Sequence, residues 1–280
     1  TTWSANVVLP GPGEDGPYPT VVEDSGYAPS NPGDGSFAQL YTSQGFAYVG
    51  VNMRGTGCSG GSYRFFETVQ SLDGYDVIEA IAAQPWVMDH EVGMVGISYP
   101  GISQLFVAAT QPPSLNSITP LSVIDDSFRS TLYPGGILNT GFAVDWTQQR
   151  VDNGKPYGQE WTRVRADDGD KVCADNQLLR LQNPDLVAEI DENPYYANPL
   201  GDSLAPITFV DRIEVPIFIA GAWQDEQTGG HFANMLASFT SSPHVFATLT
   251  NGLHTESLSP PVAGRYMEFL QLYVGKKVPD

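Results

Sequence analysis

Seven short apolar runs, separated by longer stretches with apolar residues at helical spacing, constrain this chain more than any other feature. The runs are SANVVLP (4 to 10), PTVVED (19 to 24), FAYVGVN (46 to 52), VGMVGI (92 to 97), SITPLSV (117 to 123), VPIFIAG (215 to 221) and HVFATLT (244 to 250). Strands joined through helices need crossover connections, which makes them neighbours in a mainly parallel sheet with helices on both faces. The spacing predicts helices at 36–44, 71–83, 99–110, 229–240 and 261–274. In the second of these, Ser71 or Asp73 is the expected cap, Val77, Ile78 and Ile81 share one face, and Pro85 is the stop. The fold class is therefore α/β.

Residues 125–205 break the alternation. They are polar, bear Trp and Tyr, contain Asn-Pro steps at 183–184, 193–194 and 198–199, and hold no clear strand. This predicts one catalytic core in two pieces, 1–124 and 206–280, with a helical cap inserted at 125–205. A chain of 280 residues has the length for one large core with one such insertion.

The formal charge is −19, from 13 basic and 32 acidic residues scattered along the chain. A solvated, self-repelling surface of this sign is a poor match for nucleic acid or anionic membrane. No apolar run reaches 18 residues, so a soluble protein is expected, and TTWSANVVLP lacks the form of a signal peptide. With no initiating Met, the chain reads as a mature or excised product, which leaves its compartment open. Cys58 and Cys173 have neither CxxC nor Cys/His spacing for zinc, so no metal is expected. They are equally compatible with buried thiols and, in a secreted protein, with one bridge tying the insertion to the core.

The sharpest chemical signal is VGMVGISYPG at 92–101, a buried-type strand running through Gly96-Ile97-Ser98-Tyr99-Pro100-Gly101 into a helix. A serine on such a strand-to-helix turn stands exposed above the sheet, and small flanking residues admit the close chain approach that the turn needs. The pattern departs from GxSxG, because Pro100 holds the second small position. With Ser98 as nucleophile, the Tyr99 amide at the helix start faces the developing oxyanion.

In an α/β-hydrolase the triad runs nucleophile, acid, histidine, each just past the carboxyl end of a strand. His90 and His244 precede strands. His254 follows the last strand by Asn251-Gly252-Leu253 and is the expected general base, with His231 as second choice. Asp225, after VPIFIAG, is the expected acid, with Glu226, Asp125 and Asp126 as alternatives. The loop Asp24-Ser25-Gly26-Tyr27 is the expected source of a second oxyanion donor, either a backbone amide or the Tyr27 hydroxyl.

Gly55-Thr56-Gly57-Cys58-Ser59-Gly60 matches GxGxxG, yet the chain continues as Gly61-Ser62-Tyr63-Arg64 rather than opening a helix. No dinucleotide is therefore expected there, and acyl transfer through a serine needs no cofactor.

Three stretches carry a family likeness: Arg54-Gly55-Thr56-Gly57 with Ser59-Gly60-Gly61, the block DGYDVIEAIAAQPWVMDHEVGMVGISYPG (73–101), and GAWQDEQTGG (221–230) with NGLH (251–254). The chain resembles the cocaine-esterase-like (CocE/NonD) α/β-hydrolases, a group that includes X-Pro dipeptidyl peptidases and α-amino-acid ester hydrolases. The resemblance implies Ser98 as nucleophile, Asp225 as acid, His254 as base, and the Tyr27 hydroxyl beside the Tyr99 amide in the oxyanion hole. It implies no cofactor and a small-molecule ester or acyl substrate. Members of the group usually continue into a C-terminal β-sandwich, whereas this sequence stops after the helix expected at 261–274. Simple carboxylic esters are the expected substrates, with X-Pro peptides, amino-acid esters and acyl amides as the alternative. A noncatalytic binding module on the same fold is the alternative from another class.

Overall fold

The computed structural model describes residues 1–64, 66–194 and 200–278. Seven strands form one sheet: β1 (Ser4–Val8), β2 (Tyr18–Ser25), β3 (Ala47–Asn52), β4 (Val87–Ile97), β5 (Leu115–Leu121), β6 (Ile217–Ala222) and β7 (Val245–Thr250). Their spatial order is β1-β3-β2-β4-β5-β6-β7, and every pairing is parallel except β1 with β3. β3 and β6 are buried along their whole length, as strands covered on both faces must be. β1, at the antiparallel edge, alternates between half-buried and exposed residues.

Successive side chains on a strand point to opposite faces, and the two cores divide accordingly. Val22 and Met94 join one core, with Ile78 and Leu105; Val21 and Val95 join the other, with Tyr41, Tyr266 and Leu270. The first core is covered by α2 (Thr68–Ala82) and α3 (Tyr99–Ala108), the second by α1 (Ser36–Thr42) and the final helix, Pro260–Tyr273. All ten residues of α3 are buried. From β2 the chain moves to β3 on one side, then crosses β2 to β4 on the other. The crevice beyond the carboxyl ends of β2 and β4 is thus a topological switch point, where open α/β sheets bind ligands.

Between β5 and β6 the described residues are helical or irregular. A π-helical turn, Ser127–Leu132, leads into α4 (Phe142–Asn153), α5 (Glu160–Asp167), α6 (Lys171–Leu178), α7 (Leu186–Glu192) and α8 (Leu200–Ser203). The Asn198-Pro199 step lies outside the described residues. A disulfide joins Cys58, in the loop after β3, to Cys173 in α6. Among the described residues no helix is long and apolar enough to cross a membrane.

Two elements differ from the sequence expectation. α2 begins at Thr68 with Glu67 at its cap, so Ser71 and Asp73 lie inside the helix. Asp73 instead pairs with Arg54 through both carboxylate oxygens, which draws it away from any capping role. The helix expected at 229–240 is a 3-10 helix over Gly230–Ser238.

Candidate active site

Ser98 stands between β4 and α3 with φ 65° and ψ −124°, a conformation that non-glycine residues adopt at a cost of about 1–3 kcal/mol. The surroundings fix it: Ser98 N–H donates to Leu121 O in β5 (2.8 Å), and Ser98 O accepts from Ile102 N–H (2.7 Å). Gly96 explains how proline fits the turn. Its φ is +143°, and a Cβ there would lie 2.6 Å from Pro100 Cβ. Pro100 itself sits in the first turn of α3, where an amide proton has no intrahelical acceptor to lose. The departure from GxSxG is therefore one coupled arrangement, Gly96 making room for the Pro100 ring. Tyr99 contributes the first amide of α3, which no intrahelical carbonyl can satisfy.

Asp225 and His254 meet beyond β6 and β7, both nearly buried at 7% and 5% exposure. His254 Nδ1 lies 2.8 Å from Asp225 Oδ2. A carboxylate partner assigns the proton to Nδ1 and leaves the Nε2 lone pair free. Asp225 is further held by the amides of Gln227 and Thr228 at Oδ1 (2.8 Å each) and by Thr228 Oγ1 at Oδ2 (2.7 Å). Burial pushes its carboxyl up, but the hydrogen bond and charge of His254 and the bonds from Thr228 outweigh this and hold it below the usual carboxylate range.

The backbone of His254 is clamped on both sides. Its N–H donates to Glu226 Oε2 (2.9 Å), and its carbonyl accepts from Ser122 Oγ (2.7 Å). Ser122 follows Leu121, the residue that accepts from Ser98, so the end of β5 anchors both Ser98 and His254. No hydrogen bond joins the two side chains: among the described residues His254 Nε2 is buried without a partner.

The alternatives named from sequence are engaged elsewhere. Glu226 holds the His254 backbone rather than its ring. Asp125 accepts from Ser130 Oγ (2.5 Å) and Asn234 Nδ2 (2.9 Å). Asp126 caps the π-helical turn and pairs with Arg129. His231 is exposed, while His90 Nδ1 is bonded to Ala82 O (2.8 Å) before the buried part of β4. The Gly55–Gly60 loop meets α6 and the turn after it: Gln177 Nε2 donates to Gly57 O (2.9 Å), and Arg180 donates to the carbonyls of Gly57, Ser59 and Gly61.

Tyr27 follows β2, on the Ser98 side of the switch point. Its hydroxyl accepts from Trp146 Nε1 of α4 (3.0 Å), which leaves its own proton to donate. Its ring meets that of Tyr99 edge to face, with centroids 5.4 Å apart. The sequence reading missed Thr228, Ser122 and Trp146. Thr228 carried a local signal, an Asp-x-x-Thr turn in which Asp225 caps the following amides; the other two are joined to the site only by tertiary contact.

Residues 1–256 match the model of the X-Pro dipeptidyl-peptidase (S15) family. Cocaine esterase of Rhodococcus sp. is 31% identical over 108 residues, 38% of this chain and 18% of that protein. A CocE/NonD family hydrolase of Staphylococcus aureus superposes with a TM-score of 0.77 at 21% identity, over 99% of this chain and 48% of its own. An α-amino-acid ester hydrolase superposes at 0.70 and 15% identity, over the whole of this chain and 55% of its own. These superpositions establish the α/β-hydrolase fold, and the chain spans about half the length of those structures. The family match extends from β1 past β7 and through His254, and the chain belongs to the CocE/NonD-like X-Pro dipeptidyl-peptidase (S15) family.

Proposed function

We propose that this chain hydrolyses carboxylic esters of small molecules through an acyl-enzyme on Ser98, with His254 as general base and Asp225 as the triad acid. Residues 125–205 act as a cap over the core pieces 1–124 and 206–280. The observation that carries this reading is the buried Asp225–His254 pair with its unpartnered Nε2, anchored to the same strand end as the left-handed Ser98.

In the first half-reaction Ser98 Oγ bonds to the ester carbonyl carbon as its proton passes to His254 Nε2, and Asp225 stabilises the imidazolium. The carbonyl oxygen takes the negative charge and accepts from Tyr99 N–H and Tyr27 Oη–H. The alcohol then leaves, taking the proton from Nε2. In the second half, water attacks the acyl carbon while Nε2 takes its proton, and Ser98 Oγ departs with that proton as the carboxylic acid is released.

The test is hydrolysis of p-nitrophenyl acetate. Ser98→Ala and His254→Ala should each lose kcat by about 10⁴-fold or more, whereas His231→Ala should keep most of it. Loss in His231→Ala with retention in His254→Ala would exchange the two histidines; retention in Ser98→Ala would remove the nucleophile.

A further inference from the structure

Two cavities approach one another beneath the helical segment. The smaller, about 50 Å³, is bounded by Ser98 together with Tyr99, Ile102, Ile124, Leu132 and Trp146. The larger, about 300 Å³, lies beyond it among Phe128, Leu132, Tyr133, Leu186 and Ile190. Leu132 is the one described residue that lines both. It is nearly buried, at 8% exposure, and ends the π-helical turn. The start of that turn is fixed: Ser127 donates to Leu204 O from both its amide (3.1 Å) and its hydroxyl (2.7 Å), and Asp126 caps it. Leu132 is thus a held partition.

We propose that Leu132 sets the acyl specificity of this site, limiting it to short, uncharged acyl groups of two to four carbons. The inference rests on Ser98 being the nucleophile, as proposed above. Size supplies the first argument. A sealed cavity of about 150 Å³ lined by aliphatic and aromatic side chains holds one benzene ring; the space beside Ser98 is about 50 Å³ and open on one side, too small to enclose an aryl acyl group. At a minimum of about 10–15 Å³ per water-sized group, it takes about three to five heavy atoms.

Polarity supplies the second argument. No charged side chain lines the small cavity. Of its hydroxyls, Thr147 donates to Ala143 O (2.8 Å), Ser127 to Leu204 O and Thr228 to Asp225, while Thr131 Oγ1 is buried without a hydrogen-bond partner among the described residues and offers a neutral group, not a counter-charge. An α-ammonium group entering with the acyl chain would lose its hydration with no carboxylate to meet it, which is strongly unfavourable. Amino-acyl and dipeptidyl substrates are therefore disfavoured here, although the family carries a peptidase's name.

The experiment combines a label with a chain-length series. Mass analysis after a small dialkyl fluorophosphate should find Ser98 modified in the wild type and in Leu132→Ala, which reports the nucleophile and the fold independently of acyl length. Wild-type kcat/KM on p-nitrophenyl acetate, butyrate, hexanoate, octanoate and benzoate should peak at two to four carbons and fall at least tenfold by octanoate and benzoate. Alanine p-nitrophenyl ester should lie below propionate. Leu132→Ala joins the cavities, and its octanoate-to-acetate ratio should rise at least tenfold; Leu132→Val should move the same way by less, and it serves if the alanine variant does not fold. A labelled wild type that prefers octanoate or benzoate, or labelled variants with an unchanged ratio, would overturn the role of Leu132. Absence of both label and turnover would overturn the assignment of Ser98, and this inference with it.

Discussion

The sheet and the helical segment above it are held by different chemistry. The sheet is fixed by apolar side chains on alternate faces, with Val22, Met94, Ile118 and Ile219 fully enclosed. The segment from β5 to β6 sends Leu186, Val210 and Ile213 into the same core and has a small apolar cluster of its own, but it adds what the sheet lacks, polar side chains that reach loop carbonyls of the core. Gln159 Nε2 bonds Gly26 O and Tyr27 O (3.1 and 2.7 Å), Asn176 bonds Cys58 O (2.9 Å), Arg180 grips three carbonyls of the glycine loop, and the disulfide adds one covalent tie. Apolar burial yields gradually as methylenes are removed, whereas a lost polar tether leaves discrete unsatisfied groups. The groups proposed to react stand at the ends of the sheet's strands, where hydrogen bonds from Thr228, Glu226 and Ser122 add to the apolar support. Leu132 sits in the segment's own apolar cluster and Trp146 packs on the core and on the Tyr99 ring, so both depend on the segment staying seated, to which the polar tethers add.

The largest test of this contrast removes the covalent tie. Cys58 and Cys173 are 115 residues apart, and opening a loop of that length costs about 5 kcal/mol on the chain-entropy model. The Cys58→Ser/Cys173→Ser double variant should first become cleavable within 125–205 under limited proteolysis, while fragments containing β2 to β5 resist. Simultaneous loss of both regions would mean that the segment and the sheet unfold as one unit.

A second test asks where the apolar core departs from its own rule. Burial raises Glu23 to about 7, against a lowering bond from Tyr48, and raises Asp24 to about 8, with Asp73 and Glu23 adding to it. The folded state keeps protons that the unfolded chain has released, so stability falls as pH rises from about 4 toward 8, the reverse of an ion-paired carboxylate. For Asp24 the change from pH 5 to 8 amounts to about 4 kcal/mol if one proton is held throughout. Urea denaturation at those pH values should show the decline, and Asp24→Asn should flatten most of it. A flat wild-type profile would dismiss a neutral Asp24.

The third test addresses the tether itself. Burial lowers Arg180 to about 10, which leaves it charged at neutral pH and able to bond all three carbonyls. Arg180→Met keeps the apolar stem and strands the acceptors, a loss of about 3 kcal/mol. Ile219→Val, in a fully enclosed core position, should lose about 1 kcal/mol. Equal midpoint shifts in urea would erase the distinction between the two supports.

The same contrast explains what could be read from the amino-acid sequence. Strands leave short apolar runs whether buried on both faces, as β3 and β6 are, or lying at an edge, as β1 and β7 do, and all seven runs overlap a strand of the sheet. The meeting of Asp225 with His254 was legible because both follow strands that the topology makes neighbours, β6 and β7. Tethers leave no such trace. Arg180 and Gly57 are joined across more than a hundred residues with no periodicity to announce it, and Trp146 to Tyr27 likewise. Cys58 and Cys173 could have been two thiols. The start of α2 was misplaced because Asp73 looks like a cap until its partner Arg54, from another loop, is seen.

The smallest test lies where the two supports meet. Thr228 borders the cavity beside Ser98 and donates through Oγ1 to the carboxylate oxygen that also receives His254. Thr228→Val keeps the shape and the amide bond and deletes only that hydroxyl. One of the influences holding Asp225 below the usual range is then lost, so its pKa rises toward the ordinary value. Because a lowered folded pKa gives stability that is present above the unfolded value and lost as pH falls through the folded one, the variant should lose stability at a higher pH than the wild type. With the carboxylate less firmly aimed, kcat on p-nitrophenyl acetate should fall about tenfold, with the acyl chain-length preference unchanged. A shift in that preference instead would assign Thr228 to the wall that Leu132 forms rather than to the support of Asp225.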